Sequence, residues 1–490
     1  MDLLDMSSPS PSQLSHAPVN FLLIESVYEE QSTPDASSQI LRKNSIIPIF
    51  QEGSIPNNSG GKLITFGRSP KSTFQLTNPA VSLHHCVMWC IQFDESNTQT
   101  QPLVYLWDKG SLNGTYVNDK VITKGQIVLL EDNDVVEIER GTKFVFSSWV
   151  APAMTRPLLP QNHQKEPTIP NWEVSKRVLG TGAFGSVYLA KRLKNTDKNK
   201  DKFLYAVKVI PVRTETAKIP ALLLEAQILS KLDHPNVIRV HEAVTRNGNF
   251  YIFQDLICGG DLFSYLVQGD SLVPLPESEC LVITYQILLA LKYLQDNNIA
   301  HRDLKLDNIL LATPEPCTRV VLADFGIARY TSPPAGLLSL TTRPQRMHTI
   351  VGTPEYSAPE VGFLGRFRSS ELDELETSTN SEGYDFRCDM WSVGVIVHII
   401  LSGISPFYEN GDELRMVQSA SVGELKYLLQ NSPKHWGSVS EDAKAFVRKL
   451  LRVNPEERHT CASGMGLQWV SGHEKLLRYI YHEVILKRFP

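Results

Sequence analysis

The segment HRDLKLDN (301–308) places a His, an Arg, two Asp, a Lys and an Asn within eight positions. Such a segment could be no more than a solvated charged turn. Alternatively, Asp303 could accept the hydrogen bond of an incoming hydroxyl, Lys305 could contact a transferring phosphate, and Asn308 could bind a metal ion. Asp324, which begins the sequence DFG, could hold Mg²⁺ against phosphates. Together these residue types predict phosphoryl transfer, provided that the chain also supplies a nucleotide site.

A glycine-rich run, GTGAFGSV (180–187), lies upstream and follows the strand-like sequence WEVSKRVL. In a dinucleotide-binding fold such a run would open a helix, whereas here SVYLAKRL continues as a strand. A glycine hairpin folded over nucleotide phosphates therefore explains the pattern better, although a plain glycine-rich hairpin remains an alternative. The candidate phosphate-binding glycines are Gly180, Gly182 and Gly185.

Lys208 lies inside the strand-like sequence YAVKVI, with apolar neighbours on both sides. It could be a lysine that extends along a sheet edge to reach water. If it instead points at phosphates, it needs an anion to fix it, and Glu225 on a predicted helix is placed to supply that anion. On this second interpretation Lys208 and Glu225 form a pair that binds nucleotide phosphates.

The composition narrows the class of protein. The 490 residues suit two or three domains, and 48 Lys and Arg balance 53 Asp and Glu to a net charge of −5. This balance argues against a whole-chain attraction to nucleic acid or anionic lipid. The seven Cys are scattered without a Cys-x-x-Cys pair, which favours a reducing compartment over a disulfide framework.

Neither a signal peptide nor a membrane helix is expected. The N-terminal sequence MDLLDMSSPSPSQ carries acids where a signal peptide needs a basic start. The most apolar run, MWSVGVIVHIILSGI (390–404), contains a His and is short for a bilayer span, so it predicts a buried core helix.

Changes in residue pattern divide the chain. Short apolar runs broken by turn residues predict an all-β domain, and a later strand-rich stretch followed by helical periodicity predicts a two-lobed α+β domain. An acidic, polar segment (369–385) has the character of a surface insertion. The predicted organisation is a disordered N-terminus at 1–20, the β domain at 21–150, a Pro-rich linker at 151–170, the α+β domain at 171–472 and a tail at 473–490.

The α+β domain resembles the eukaryotic protein kinase superfamily over roughly 300 residues. After the segments above come GTPEYSAPE (352–360), which resembles the end of an activation segment, and DMWSVG (389–394), which resembles the start of the central helix of the large lobe. Arg458 resembles the family's partner for Glu360. No catalytic position is missing, so the resemblance implies an active enzyme that uses ATP and Mg²⁺ rather than a pseudokinase.

The catalytic loop and the Gly352-Thr353 pair resemble the Ser/Thr branch of this superfamily. In such kinases the Arg that precedes the catalytic Asp, here Arg302, pairs with a phosphate on the activation segment. Thr349 ends the sequence RMHT (346–349) and is the predicted phosphorylation site, reached by autophosphorylation in trans during transient self-association. Thr353 is a second candidate for phosphorylation, but a bond near Asp303 that shapes the substrate site is the favoured role.

The resemblance also assigns substrate and nucleotide contacts. Asp261 and Asp307 match positions where basophilic kinases bind a substrate Arg at −3; the alternatives are a ribose contact and a solvated charge, respectively. Ile399 stands where some relatives carry a third acid, so a basic preference at −2 is not expected. The remaining implied nucleotide contacts are Val187, Ala206 and Gln254, the last at the gatekeeper position.

The N-terminal domain resembles a forkhead-associated domain, a β-sandwich that binds phosphothreonine peptides through loops at one end. The residues that carry the resemblance lie in FGRSP (66–70), VSLHHC (81–86) and SLNGTYVN (111–118). Arg68 can pair with the phosphate, Ser82 can donate a hydroxyl, and Asn113 can hold the peptide backbone. His85 is expected to fix a loop. Separately, Arg68 could be a surface charge, and Asn113 could belong to a simple hairpin turn.

A phosphothreonine reader joined to a basophilic kinase resembles the checkpoint kinase 2 family, and the polar Gln254 is similar to its yeast meiosis-specific members. The resemblance implies a nuclear, chromosome-associated kinase recruited by a phosphothreonine-containing adaptor of the meiotic chromosome axis. Four Ser/Thr-Gln sites (Ser12, Ser38, Thr98 and Thr100) do not form a dense cluster, which favours a separate adaptor. The alternatives are a mitotic DNA-damage effector kinase and a catalytically silent phosphothreonine scaffold.

Overall fold

The computed structural model describes the backbone of residues 20–26 and 46–49 and, in addition, residues 63–91, 102–123, 125–148, 169–182, 185–193, 204–211, 230–268, 271–325, 328–330, 353–362, 385–407, 412–423, 425 and 433–489. The chain divides into two compact units, Met1–Ala206 and Val207–Pro490. Several predicted features fall outside the described residues: Glu225, Thr349, the N-terminal 1–19, most of the linker and most of the 369–385 insertion.

The N-terminal domain is a sandwich of two β-sheets. One sheet has the strand order β2-β1-β11-β10-β7-β8 and the other β4-β3-β5-β6-β9. The strands are β1 (Asn20–Ser26), β2 (Ile46–Ile49), β3 (Leu63–Gly67), β4 (Phe74–Gln75), β5 (Cys86–Ile91), β6 (Leu103–Asp108), β7 (Thr115–Val117), β8 (Lys120–Val121), β9 (Ile127–Leu129), β10 (Val135–Ile138) and β11 (Thr142–Ser148).

Aromatic rings fill the space between these two sheets. Phe66 of β3 stacks on Phe74 of β4 and meets Phe144 of β11 edge-on, each pair with ring centroids 5.4 Å apart. All three side chains are buried, and they alternate with outward residues along their strands, as the period of two of a β-strand requires. The core therefore forms the rigid base from which the loops at one end project.

The first unit also contains the opening strands of the kinase domain, β12 (Trp172–Gly182) and β13 (Gly185–Arg192), which pair as an antiparallel hairpin. Arg177 of β12 donates from Nη2 to the carbonyl oxygen of Pro102, at 2.9 Å, beside strand β6 of the sandwich. Burial lowers the pKa of this guanidinium. This contact between the reader domain and the first kinase strand was not predicted from the sequence.

The second unit begins within β14 (Leu204–Pro211) and holds the rest of this domain. In its sheet β14 is followed by β16 (Asn249–Asp255) and β15 (Val240–Arg246). Its short strands are β17 (Val267–Gln268), β18 (Ser271–Leu272), β19 (Ile299–Ala300), β20 (Ile309–Leu311), β21 (Val320–Leu322) and β22 (Arg329–Tyr330). Its helices are α1 (Leu262–Leu266), α2 (Glu277–Asp296), α3 (Arg387–Ser402), α4 (Glu413–Val422), α5 (Pro433–Trp436), α6 (Glu441–Leu450), α7 (Cys461–Met465), α8 (Gln468–Ser471) and α9 (Glu474–Tyr479).

Helix α3 forms the centre of the large lobe and confirms the predicted core helix. Every residue from Cys388 to Ser402 is buried, which a helix tolerates only when neighbours cover it on all sides. Trp391 stacks on Phe407 at 5.4 Å, and the helix ends at Gly403, whose φ of 73° places it in the left-handed region that favours glycine. Among the described helices, none combines the length and the apolar character needed to cross a membrane.

Candidate active site

The predicted catalytic loop, residues 301–308, is held in place by hydrogen bonds to helix α3. Asp389 accepts the backbone N–H groups of His301 and Arg302 on its two carboxylate oxygens, both at 2.8 Å. Arg302 has a φ of 71°, a strained value for a residue with a Cβ. Because Asp389 and both partners are buried, this pair of hydrogen bonds holds the strained turn in place. The loop is therefore a fixed platform rather than a solvated charged turn.

Asp303 lies at the end of this platform with both carboxylate oxygens engaged. Thr353 donates its hydroxyl to Oδ1 at 3.1 Å, and Asn308 donates its side-chain N–H to Oδ2 at 3.2 Å and to the Asp303 carbonyl oxygen at 2.7 Å. Lys305 is half-buried two residues after Asp303, immediately before the single 3-10 turn Leu306–Asn308. The structure thus brings three of the predicted residues, Asp303, Asn308 and Thr353, into direct contact.

The DFG segment is linked to the same platform. The Ala323 carbonyl oxygen lies 3.0 Å from Nε2 of His301, and the Phe325 ring lies 4.6 Å from the His301 ring. Asp324 has a φ of 57° and forms an ion pair with Lys208, whose Nζ lies 2.7 Å from Oδ1. The predicted lysine therefore reaches an anion of the catalytic site; its predicted partner, Glu225, lies outside the described residues.

The predicted metal ligands offer the donor set that Mg²⁺ prefers, since a carboxylate and an amide oxygen are hard ligands. Because the N–H groups of the Asn308 amide face Asp303, its oxygen is directed away from that carboxylate. Among the described residues there is no group of three His, Cys, Asp or Glu suited to a metal ion. Asn308 and Asp324 would supply two ligands to Mg²⁺, with phosphate oxygens and water completing the coordination.

The glycine loop is described within the first unit. Gly180 pairs with Val187 and Gly182 with Gly185, so the predicted glycine hairpin is present and no helix follows it. Ala206 is buried on β14. In the second unit, Gln254 is half-buried near the end of β16, opposite Val240.

The two acids predicted to bind a substrate Arg lie on adjacent elements, since α1 packs against the Leu306–Asn308 turn. Asp307 is exposed there. Asp261 accepts the Ser264 backbone N–H at 2.8 Å and so caps α1, a role that sequence reasoning did not consider. Glu355 was also missed: burial, with a contribution from nearby Asp307, raises the pKa of its carboxyl. Glu355 and the two predicted acids thus lie on neighbouring parts of the large lobe.

The activation segment is anchored at its far end as predicted. Arg458 donates from Nη1 and Nη2 to the two carboxylate oxygens of Glu360, at 2.5 and 2.9 Å, and its side chain is fully buried. Ser392 of α3 donates to the Tyr356 carbonyl oxygen at 2.8 Å. The segment 353–362 is thus tied to the large lobe at two points.

The reader site gathers its three predicted residues at one end of the sandwich. Arg68 is exposed, and its Nε donates to the Val81 carbonyl oxygen at 3.1 Å. Ser82 Oγ accepts the Leu112 backbone N–H at 3.0 Å, and Asn113 donates to the Ala80 carbonyl oxygen at 2.8 Å. The loops that carry a guanidinium, a hydroxyl and an amide are therefore cross-linked to one another, as a phosphopeptide site requires.

Two buried residues hold these loops. His85 accepts the Ser82 N–H on Nδ1 at 3.2 Å and contacts the Gly114 carbonyl oxygen through Nε2 at 3.1 Å, which confirms its predicted loop-fixing role. Burial lowers its pKa, in keeping with a neutral ring that has one acceptor and one donor. Asp108 accepts hydrogen bonds from Gly110, Ser111 and Thr115. Sequence reasoning missed Asp108, although its spacing to Ser111 is typical of a carboxylate-capped turn.

The loops at one end of the sandwich carry the side chains that a phosphopeptide reader needs. The α+β domain carries the Asp, Asn and Lys cluster of a protein kinase. The fold and the two sites therefore define a protein kinase joined to a phosphopeptide reader. Residues 174–470 match the protein kinase domain family and residues 64–139 match the FHA domain. The chain belongs to the protein kinase family, and it is a serine/threonine kinase with an N-terminal FHA domain.

Two yeast proteins are similar over nearly the whole chain. The meiosis-specific serine/threonine-protein kinase MEK1 of Saccharomyces cerevisiae is 42% identical over 440 residues, which is 87% of this chain and 84% of that protein. The protein of the same description from Schizosaccharomyces pombe is 32% identical over 482 residues and 98% of both chains. A crystal structure of Rad53 1–466 with AMP-PNP matches with a TM-score of 0.47 and 24% identity, over 92% of this chain and all of that one. The two yeast relatives confirm the predicted resemblance to meiosis-specific FHA kinases.

Proposed function

We propose that this chain is a meiotic protein kinase that phosphorylates Arg-x-x-Ser/Thr sites on proteins gathered by a phosphothreonine-containing adaptor. The proposal rests on the contact of Asp303 with Asn308 and Thr353, together with the names of the two yeast relatives. The adaptor is a component of the meiotic chromosome axis, and the kinase acts in the nucleus on chromosomes, in the recombination checkpoint and in the bias of repair towards the homologue.

The chemistry follows from the positions of the side chains. Asp303 accepts the hydrogen bond of the substrate Ser or Thr hydroxyl on Oδ1 and orients the oxygen for in-line attack. As the new P–O bond forms and the bond to ADP breaks, the hydroxyl proton passes to this carboxylate. Lys208 and Lys305 place positive charge near the phosphates. Mg²⁺ at Asn308 and Asp324, when bound, neutralises phosphate charge.

Substrate selection is assigned to Asp261 and Asp307, and the Glu355 carboxyl lies near Asp307. The test compares two peptides that differ only in Arg or Ala at −3, with Asp303→Asn as the inactive control. We expect the purified kinase to prefer the Arg peptide about tenfold in kcat/KM, and Asp307→Asn to reduce that preference. Equal rates for both peptides in the wild type would contradict the proposed motif.

Activation is assigned to phosphorylation of Thr349 in trans, because the sequence RMHT at 346–349 repeats the proposed substrate motif. Arg302 is the proposed receiver of this phosphate, and the hydrogen bond that its backbone N–H donates to Asp389, which fixes the backbone there, supports that role. Arg346→Ala should slow the phosphorylation of Thr349 by the purified enzyme about tenfold, and an unchanged rate would contradict the proposal. Phosphopeptide measurements in meiotic and in damaged dividing cells then separate a meiotic kinase from a mitotic DNA-damage kinase.

A further inference from the structure

The segment that follows the large lobe, 473–489, is helical and packs onto the kinase domain. Helix α9 continues through a π-helical stretch, Ile480–Ile485, to Arg488. Four side chains at intervals of four residues are buried: Leu477, Tyr481, Ile485 and Phe489. This stripe is the packed face of an amphipathic helix, so the segment is part of the domain.

One side chain of this stripe carries a polar group into the interior. The hydroxyl of Tyr481 donates to Oδ1 of Asn236 at 2.6 Å, although the two residues are 245 positions apart in the chain. Tyr481 is 5% exposed and Asn236 is fully buried. Burial raises the pKa of Tyr481 to about 12, so the hydroxyl keeps its proton and remains a donor.

The other end of the Asn236 amide contacts the strand that precedes the DFG segment. Its Nδ2 donates to the Val320 carbonyl oxygen at 2.7 Å and to Oε1 of Gln286 at 3.1 Å, and this oxygen of Gln286 also accepts the Val320 N–H. The orientation of the amide is fixed, because both neighbours of Nδ2 accept and the neighbour of Oδ1 donates.

The main chain around Asn236 holds the same strand. The Leu322 N–H donates to the Asn236 carbonyl oxygen, and the Ile238 N–H donates to the Leu322 carbonyl oxygen, each at 2.9 Å. Leu322 is the last residue of β21 and lies two positions before Asp324, which pairs with Lys208. Asn236 is therefore connected through buried residues to the strand that leads into Asp324.

We infer that Tyr481 is a positioning residue for the nucleotide site, which acts through the Asn236 amide and strand β21 on Asp324. The inference concerns nucleotide binding alone and does not depend on the proposed substrate motif or meiotic role. Without the Tyr481 hydroxyl, Oδ1 of Asn236 is a buried acceptor with its donor removed, and this cost weakens the arrangement that holds the amide against β21.

Tyr481→Phe tests the inference, since it removes the hydroxyl and keeps the ring that meets Tyr285 edge-on. We expect KM for ATP to rise about tenfold, equivalent to ~1.4 kcal/mol, while KM for the peptide substrate stays unchanged. The increase in Tm on adding Mg²⁺ and AMP-PNP should shrink as well. Tyr479→Phe is the matched control, because Tyr479 lies on the same helix and is 61% exposed.

A double-mutant cycle with Asn236→Ala identifies the route. If Tyr481 acts through the amide, Tyr481→Phe has no further effect on KM for ATP in the Asn236→Ala background. If Asn236→Ala does not fold, the comparison of KM for ATP between Tyr481→Phe and Tyr479→Phe tests the inference by itself. A Tyr481→Phe protein with wild-type KM for ATP and a wild-type Tm increment from nucleotide, whatever its own Tm, would overturn the inference.

Discussion

The hydroxyl of Thr353 donates a hydrogen bond to Oδ1 of Asp303, 50 positions earlier in the chain, at 3.1 Å. This bond connects the end of the activation segment to the residue proposed to accept the hydrogen bond of the substrate hydroxyl. Together with Asn308, which contacts the other carboxylate oxygen, it leaves the Asp303 side chain little freedom to rotate. Catalytic geometry and the conformation of the activation segment therefore depend on each other.

Removing the Thr353 hydroxyl should slow the chemical step. For Thr353→Val, which keeps the shape of the side chain, we expect kcat to fall about tenfold or more, because Asp303 loses one of the groups that orient it. KM for ATP should change little. The measurement is steady-state kinetics with a fixed peptide substrate, and Thr353→Ser, which keeps the hydroxyl, is the control. A Thr353→Val enzyme with wild-type kcat would contradict this role.

The Arg458–Glu360 pair should matter far more for stability than exposed ion pairs. Arg458→Met leaves the Glu360 carboxylate without its partner in a largely buried site, at a cost of about 3–5 kcal/mol of unfolding free energy. Arg478→Met is the control, because it breaks an exposed pair with Glu474 that is worth less than about 1 kcal/mol.

Urea unfolding of the two variants measures both costs. The double variant Arg458→Met/Glu360→Leu should recover part of the loss, since it also removes the unpaired charge. Equal destabilisation by Arg458→Met and Arg478→Met would show that the buried pair contributes no more to the free energy of unfolding than the exposed pair.

The residue types, together with the resemblance to protein kinases, predicted the residues of the candidate site, because its chemistry requires particular side chains at particular intervals. Thr353 bonds to Asp303 as one of its two predicted roles required, whereas the contact of Asn308 with Asp303 was not predicted. The buried helix at 390–404 also followed from its run of apolar residues. The N-cap of α1 could also have been predicted, because an Asp at the N-cap position commonly accepts the backbone N–H three residues later. From the sequence, Asp261 was assigned to substrate binding, and its role as a helix cap was not considered.

Contacts between distant segments could not be predicted from residue pattern. Asp389 reaches His301 across 88 positions, and Tyr481 reaches Asn236 across 245. Neither pair has a local signature, because a hydrogen bond that closes a long loop depends on how the intervening helices pack. The contact of Arg177 with Pro102 belongs to the same class, since an Arg in a strand gives no sign of the surface it will meet.

Loss of the Asp108 carboxylate should weaken phosphopeptide binding, although Asp108 is not one of the residues predicted to contact the phosphate. Asp108→Ala removes the acceptor that orders Gly110, Ser111 and Thr115, so the loop carrying Asn113 becomes free to move. We expect about a tenfold loss of affinity, and a complete loss for Arg68→Ala. Retention on beads coated with a degenerate phosphothreonine peptide library measures both. Exposed Asp132→Asn is the control, and wild-type retention of Asp108→Ala would contradict the role.

The stability of the kinase domain should depend on pH through His398. Burial in α3 lowers its pKa to about 4, whereas an exposed His titrates near 6.5. Between these two values the unfolded chain binds a proton that the folded chain does not, so stability falls as the pH drops below about 6.5. From pH 7.5 to pH 5.0 this single group should lower the unfolding free energy by about 2 kcal/mol.

The test of His398 compares slopes rather than absolute stabilities, because any substitution also removes the hydrogen bond between Nδ1 and the Ile404 carbonyl oxygen. Urea midpoints at pH 7.5 and pH 5.0 should differ less for His398→Gln than for the wild type. His482→Gln, at an exposed position of the same domain, should keep the wild-type difference. If His398→Gln and the wild type lose the same stability between the two pH values, His398 is not the group that titrates.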